Sequence, residues 1–180
     1  MPRPDGGFVV EATPGDFRLN VAPLLNLSPR PPGPPNATVP PGLQNAYVKT
    51  IRLGEIDVLN AGIRLAGAPA GRLEVVIGTT PGSFEGSVVD GNQAAGPGMT
   101  VVLLPDIRRR TDLYKITTTD PAGRFRIDRV APGDYRAFTW SEISDGAWHD
   151  PDFMQAQEAG GTPVHVVEGS ASSTRLTVIR

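Results

Sequence analysis

From residue 82 to the C-terminus, apolar and polar side chains alternate in short runs broken by turn residues. SFEGSVVD (83–90) alternates and gives way to the turn-rich DGNQAAGPG. MTVVLLP (99–105) is almost continuously apolar and reads as a strand buried on both faces. LYKITTT (113–119) sets Tyr114, Ile116 and Thr118 on one face and Lys115 on the other, outward. RFRIDRV turns Phe125 and Ile127 inward and Arg124, Arg126 and Asp128 outward. DYRAFTW follows the turn at Pro132-Gly133, and VHVVE and STRLTVI close the chain. Seven short strands with turns between them predict an antiparallel sandwich.

One stretch has a different period. In WHDPDFMQAQEAGG (148–161), Asp150 is a candidate N-cap, Pro151 suits the first helical position and Gly160 suits the stop. This predicts a helix of about two turns inserted between two strands. The preceding strand explains its purpose. Tyr135, Ala137 and Thr139 share one face, while Phe138 and Trp140 share the other and need a cover. Phe153 and Met154 on the helix can supply it.

The first 80 residues repeat the back half of this pattern. GGFVVEATPGDFRLNV (6–21) corresponds to GRFRIDRVAPGDYRAF. Pro14-Gly15 matches Pro132-Gly133, Phe17 matches Tyr135, and Phe8 matches Phe125 when one residue is skipped. GRLEVVIG (71–78) matches TRLTVIR (174–180), and AYVKTIRLGEIDVLNAGIRL (46–65) supplies alternating strands between. An internal repeat of this kind governs the whole reading. The fold class is therefore all-β: two tandem antiparallel β-sandwiches, Ig-like in strand pattern, the first (1–80) incomplete and the second (81–180) carrying the short helix. The first unit lacks a front set of strands, which leaves open edges and an uncovered core face. It is then the end of a longer array, a smaller sandwich docked on the second, or a unit completed by strands from another copy. In the last case strands at 8–12 and 16–23 form the open edge, with Phe8, Val10, Phe17 and Leu19 setting the register.

The phrase TTTDPAGRFRIDRVAPGDYRAFTW has the pattern D-x-x-G-x-F followed by P-G-x-Y. It resembles the carboxypeptidase regulatory-like domains, which are transthyretin-like (prealbumin-type) sandwiches close to the Cna-B type repeats of bacterial surface proteins. GSVVDGNQAAGPGMTVVLLPD, RRRTDLYKITTTD and YVKTIRLG are similar to the same family. The resemblance covers residues 82–180. It implies a non-catalytic module of an extracytoplasmic, surface or secreted bacterial protein, with no catalytic residues to carry over.

Composition adds bounds. There are 21 glycines and 19 prolines among 180 residues, as expected of many strands joined by tight turns. The net charge of −2 gives no field toward nucleic acid. With no cysteine, disulfides and thiolate chemistry are excluded. No apolar run approaches a membrane span, and MPRPDGG lacks the apolar core of a signal peptide, so an exported protein would be represented here by its mature form or a fragment. NLSPRPPGPPNATVPPGLQN (26–45) carries seven prolines between Pro29 and Pro41, a polyproline II composition in an insertion, 27–45, placed where the second unit has its helix. It contains two glycosylation sequons, at Asn26 and Asn36, of which Asn36 is the better candidate because Pro29 follows the first.

Candidate chemistry is sparse. His149 lies beside Asp145, Asp150 and Asp152, yet helix capping accounts for much of that cluster and no metal set is assigned. A Ser141–His149–Asp150 triad would crowd three groups on one loop. His165 reads as an outward strand residue, and Arg108–Arg110 as a solvated face. Lys115 and Asn92 are poorly placed for an isopeptide bond. Trp140 and Trp148 are the candidate carbohydrate contacts, since sugars stack on exposed rings, and polysaccharide is the alternative partner. The alternative for Trp140 is packing under the helix. An accessory role on an outer-membrane transporter is a further alternative without barrel strands to support it. No cofactor is expected, and the expected partners are other copies of the protein or neighbouring repeats.

Overall fold

The computed structural model describes residues 7–19, 45–67, 71–91 and 93–180. Contacts divide the chain into two compact units, Met1–Val21 with Val48–Ile77, and Ala22–Tyr47 with Gly78–Arg180. The first half of the chain forms β1 (Gly15–Phe17), β2 (Tyr47–Leu53), β3 (Ile56–Asp57), β4 (Ile63–Leu65) and β5 (Leu73–Gly78). The second half forms β6 (Gly82–Asp90), β7 (Gln93–Ala94), β8 (Thr100–Pro105), β9 (Lys115–Thr118), β10 (Arg124–Val130) and β11 (Gly133–Trp140). Helix α1 (Pro151–Gln157) precedes β12 (Thr162–Val166) and β13 (Ala171–Thr177).

The second unit is an all-β sandwich of two sheets, ordered β10-β6-β13, with β7 folded back on β6, and β12-β11-β8-β9. Phe84, Val88, Val101, Leu103, Phe125, Ile127, Tyr135 and Leu176 fill the space between the sheets. Burying each large apolar side chain stabilises the fold by about 1.5–3 kcal/mol. Strands β8 and β11 also bury their outer face, where Val102, Leu104, Phe138 and Trp140 meet Trp148 and Met154. Helix α1 is the cover that the strand pattern called for. Asp150 caps it, its Oδ1 accepting from the amides of Asp152 (2.9 Å) and Phe153 (3.3 Å). Gly161 follows because a Cβ there would stand 2.6 Å from the Phe138 ring.

The turn motifs have a mechanical basis. Asp120 Oδ1 accepts from the amides of Ala122 and Arg124, both at 2.8 Å, and Gly123 sits at φ 71°. That reversal delivers Phe125 to the core. Tyr135 enters the core after Pro132-Gly133, and its hydroxyl donates to the Ala131 carbonyl at 2.7 Å. Burial pushes the Tyr135 phenol well above its ordinary pKa.

Three details differ from the sequence pattern. Strand β13 runs parallel to β6, not antiparallel. The chain crosses between sheets from β12 to β13, so no hairpin sets its direction. The close approach needs Gly86, where a Cβ would run into the Thr174 carbonyl oxygen. In β10 the alternation slips at a bulge between Ile127 and Val130, with Arg129 at φ 57°, which turns Val130 inward. On β9 the faces are set by register: Lys115 lies opposite Leu103 and Ile116 opposite Val102. Lys115 is therefore half-buried, not outward, and desolvation lowers its pKa, while Ile116 is 47% exposed beyond the helix cover.

The first half contains a two-stranded antiparallel pair, β1-β4, and a three-stranded sheet, β3-β2-β5. Its buried apolar residues include Tyr47, Val48, Ile51 and Val58, the last two joined by a Val58 N–H donating to the Ile51 carbonyl at 2.8 Å. The turn from β2 to β3 uses Gly54 at φ 58°. Residues 8–12, expected as a strand, have no regular secondary structure, and β1 ends at Phe17.

Candidate functional site

The first unit holds an open cleft of about 890 Å³. One wall is residues 7–10 with Ala12, another is β1 with Arg18 and Leu19, and a third is residues 71–75 at the start of β5. Phe8, Val10, Phe17 and Leu19 all line it, so the four edge residues expected from the repeat share one space. The pattern did not single out Val9, Leu53, Ile63, Leu65 and Leu73, which add to the lining. Ile63 and Leu65 fall in the alternating stretch 46–65, yet nothing local says that a face there stays open. Val9 is 70% and Val10 58% exposed. Adjacent exposed apolar side chains at an open cleft are the kind of surface that marks an interaction site.

The cleft is built from parts that recur in the second unit. Strands β1 and β4 pair as Gly15↔Leu65, Asp16↔Arg64 and Phe17↔Ile63. Strands β11 and β12 begin Gly133↔Val166, Asp134↔His165 and Tyr135↔Val164. The two registers coincide, with Gly, Asp and an aromatic in the same order. Even the cross-strand polar pair recurs, Asp16 with Arg64 at 3.7 Å and Asp134 with His165 Nδ1 at 2.6 Å. Both pairs are exposed and contribute little energy. Their value here is as register marks.

The other candidates are placed as follows. Trp140 and Trp148 are buried at 4% and 7% exposure, in the cluster beneath α1. Trp140 stacks on Phe138 with ring centres 5.7 Å apart, and the Trp148 indole N–H is buried without a hydrogen-bond partner among the described residues. Neither ring offers a face to a sugar, because the outer face of β11 needs them as core. His149 stacks on Tyr114 at 5.2 Å, and Asp150 is engaged by the helix amides, so these groups form no triad. His165 is exposed on β12, as expected. In the arginine run, Arg108 pairs with Glu158 (3.0 Å) and lies over the Phe138 ring (5.6 Å), and Arg110 pairs with Asp112 (2.8 Å). Two of the three thus hold loops and α1 in place. Among the described residues no group of three or more His, Cys, Asp or Glu could hold a metal, and no helix is long and apolar enough to cross a membrane. Asn26, Asn36 and Asn92 lie outside the described residues.

No protein-family model matches the chain, and a search of curated proteins finds no match. Among solved structures, a candidate carbohydrate-binding protein of Pseudomonas aeruginosa is similar at 19% identity and a TM-score of 0.37, over 54% of this chain and 88% of that one. The major pilin subunit of Bacillus cereus is similar at 17% identity and a TM-score of 0.37, over 59% of this chain and 31% of the pilin. The pilus 2b backbone protein of group B Streptococcus is similar at 15% identity and a TM-score of 0.34, over 81% of this chain and 51% of that protein. The chain thus spans about a third of one pilus subunit and about half of the other.

Proposed function

We propose that this protein is a non-enzymatic structural module of a bacterial surface or secreted protein, joined to its neighbours by strand addition at the first unit. Residues 1–80 are read as an incomplete sandwich repeat and residues 81–180 as a complete one. The observation that supports the reading is the open cleft of the first unit, lined by Phe8, Val10, Phe17 and Leu19 together with Arg18, Glu55, Arg72 and Glu74. An incoming strand would gain main-chain hydrogen bonds for affinity and alternate apolar side chains for register. Another copy of the protein is the partner in this reading, giving head-to-tail assembly. The sequence resemblance to carboxypeptidase regulatory-like repeats supports the module class.

The test is the particle mass in dilute solution by light scattering, with negative-stain imaging of the same sample. Large linear particles are expected. A monomer at all concentrations would remove the self-assembly part of the proposal.

A further inference from the structure

The second unit shows what a complete repeat contains, and its strands identify the piece missing from the first. In the second unit, β6 is the central strand of its sheet. It pairs antiparallel with β10 on one side and parallel with β13 on the other. In the first unit, the counterpart of β10 is the segment at residues 8–12. Phe8, Val10 and Ala12 correspond to Phe125, Ile127 and Val130, and the one-residue skip falls where β10 carries its bulge. The counterpart of β13 is β5, from the match of GRLEVVIG with TRLTVIR. These two counterparts are walls of the open cleft. Strand β5 pairs with β2 on one edge, residues 8–12 have no strand partner among the described residues, and no described strand of the first unit precedes residue 8 as β6 precedes β10.

This accounts for two observations at once. Residues 8–12 adopt no strand, although their pattern is that of β10, because a strand needs a ladder partner and β10 has only β6. Val10 is 58% exposed while its counterpart Ile127 is 5% exposed, because Ile127 lies opposite Phe84 of β6.

We infer that the cleft of the first unit binds a polypeptide strand of β6 type that the first unit does not itself supply. This rests on the strand-addition reading above and specifies its partner. The β6 sequence defines the chemistry. Phe84 and Val88 are fully buried, and Gly86 lies midway between them, where the neighbouring backbone comes too close for a Cβ. The incoming strand carries the pattern F-x-G-x-V. It runs antiparallel to residues 8–12, with its glycine opposite Phe8 and its aromatic opposite Val10, as Gly86 and Phe84 lie opposite Phe125 and Ile127. Small or polar residues between these positions keep the strand soluble before it docks.

The probe is the capped peptide GSFEGSVVD, the β6 sequence itself, added to the full chain. The readouts are fluorescence anisotropy of the labelled peptide and amide hydrogen exchange of the protein. The expected result is saturable binding, with exchange at residues 8–12 and 72–76 slowed roughly tenfold or more. Val10→Asp, at an exposed position, abolishes binding and leaves exchange in the second unit unchanged. A peptide with Phe84→Asp does not bind. No protection at residues 8–12 with millimolar peptide, or equal binding to the Val10→Asp protein, overturns the inference. Light scattering separates the two proposals. A monomer that binds the peptide refutes self-assembly and keeps the β6-type strand. Linear particles that ignore the peptide, with residues 8–12 unprotected, keep assembly and refute this strand.

Discussion

Residues 8–12 and β10 have the same inward pattern and opposite fates. Phe125, Ile127 and Val130 are buried between two sheets. Phe8, Val10 and Ala12 border an open cleft. The β1-β4 pair, by contrast, reproduces the β11-β12 register residue for residue. The difference teaches that a short apolar segment becomes a strand only where a ladder partner waits. The β1-β4 pair has both partners inside residues 15–65; the segment at 8–12 has no strand partner among the described residues.

The widest separation between the two regions should come from core truncation. Phe138→Ala removes a fully buried ring and should cost about 3–5 kcal/mol. Val10→Ala should fall within about 0.5 kcal/mol, since the side chain is already exposed. Urea unfolding followed by circular dichroism compares them, and equal losses would break the contrast. Gly86→Ala should cost about 2–3 kcal/mol by forcing β6 from β13. Gly96→Ala, with open space around its Cβ, should shift stability by less than about 1 kcal/mol, so a matching loss in the same assay would discredit the close approach.

Tyr135 and its counterpart Phe17 differ by one hydroxyl. Tyr135→Phe leaves the Ala131 carbonyl without its donor and should cost about 1–3 kcal/mol. Because burial raises the native phenol's pKa, the folded chain keeps a proton that the unfolded chain loses above about pH 10. Its contribution is present in full below that pH and declines as pH rises further. Tyr135→Phe should flatten part of the alkaline loss of stability. Tyr47 and Tyr114, which burial also shifts upward, add to this loss, and Lys115, which burial shifts downward, offsets part of it. An unchanged slope between pH 9 and 11 would count against this cause.

Asp150→Ala should cost about 1 kcal/mol through loss of the α1 cap, seen as a small drop in the urea midpoint. Smallest of all are the register marks. Asp16→Ala and Asp134→Ala should each change stability by less than about 0.5 kcal/mol, because both pairs are solvated. A larger loss at Asp134 alone would separate the two pairs energetically.

Much of the fold could be read locally. Alternation, the Asp120 and Pro132-Gly133 turns and the cap at Asp150 each act over a few residues, so they were legible from spacing. So was the need for a cover over Phe138 and Trp140, since one strand with two apolar faces must be buried twice. That same need put both tryptophans in the core, away from any sugar. The repeat grouped Phe8, Val10, Phe17 and Leu19, but the cleft they share and its further walls were not legible. The parallel course of β13 and the inward turn of Lys115 depend on which distant strand lies alongside. The sequence by itself determined the strands, the turns and the repeat, because their causes are near neighbours in the chain. Only the tertiary structure decided which faces close and which remain open, because that depends on which distant strands lie alongside.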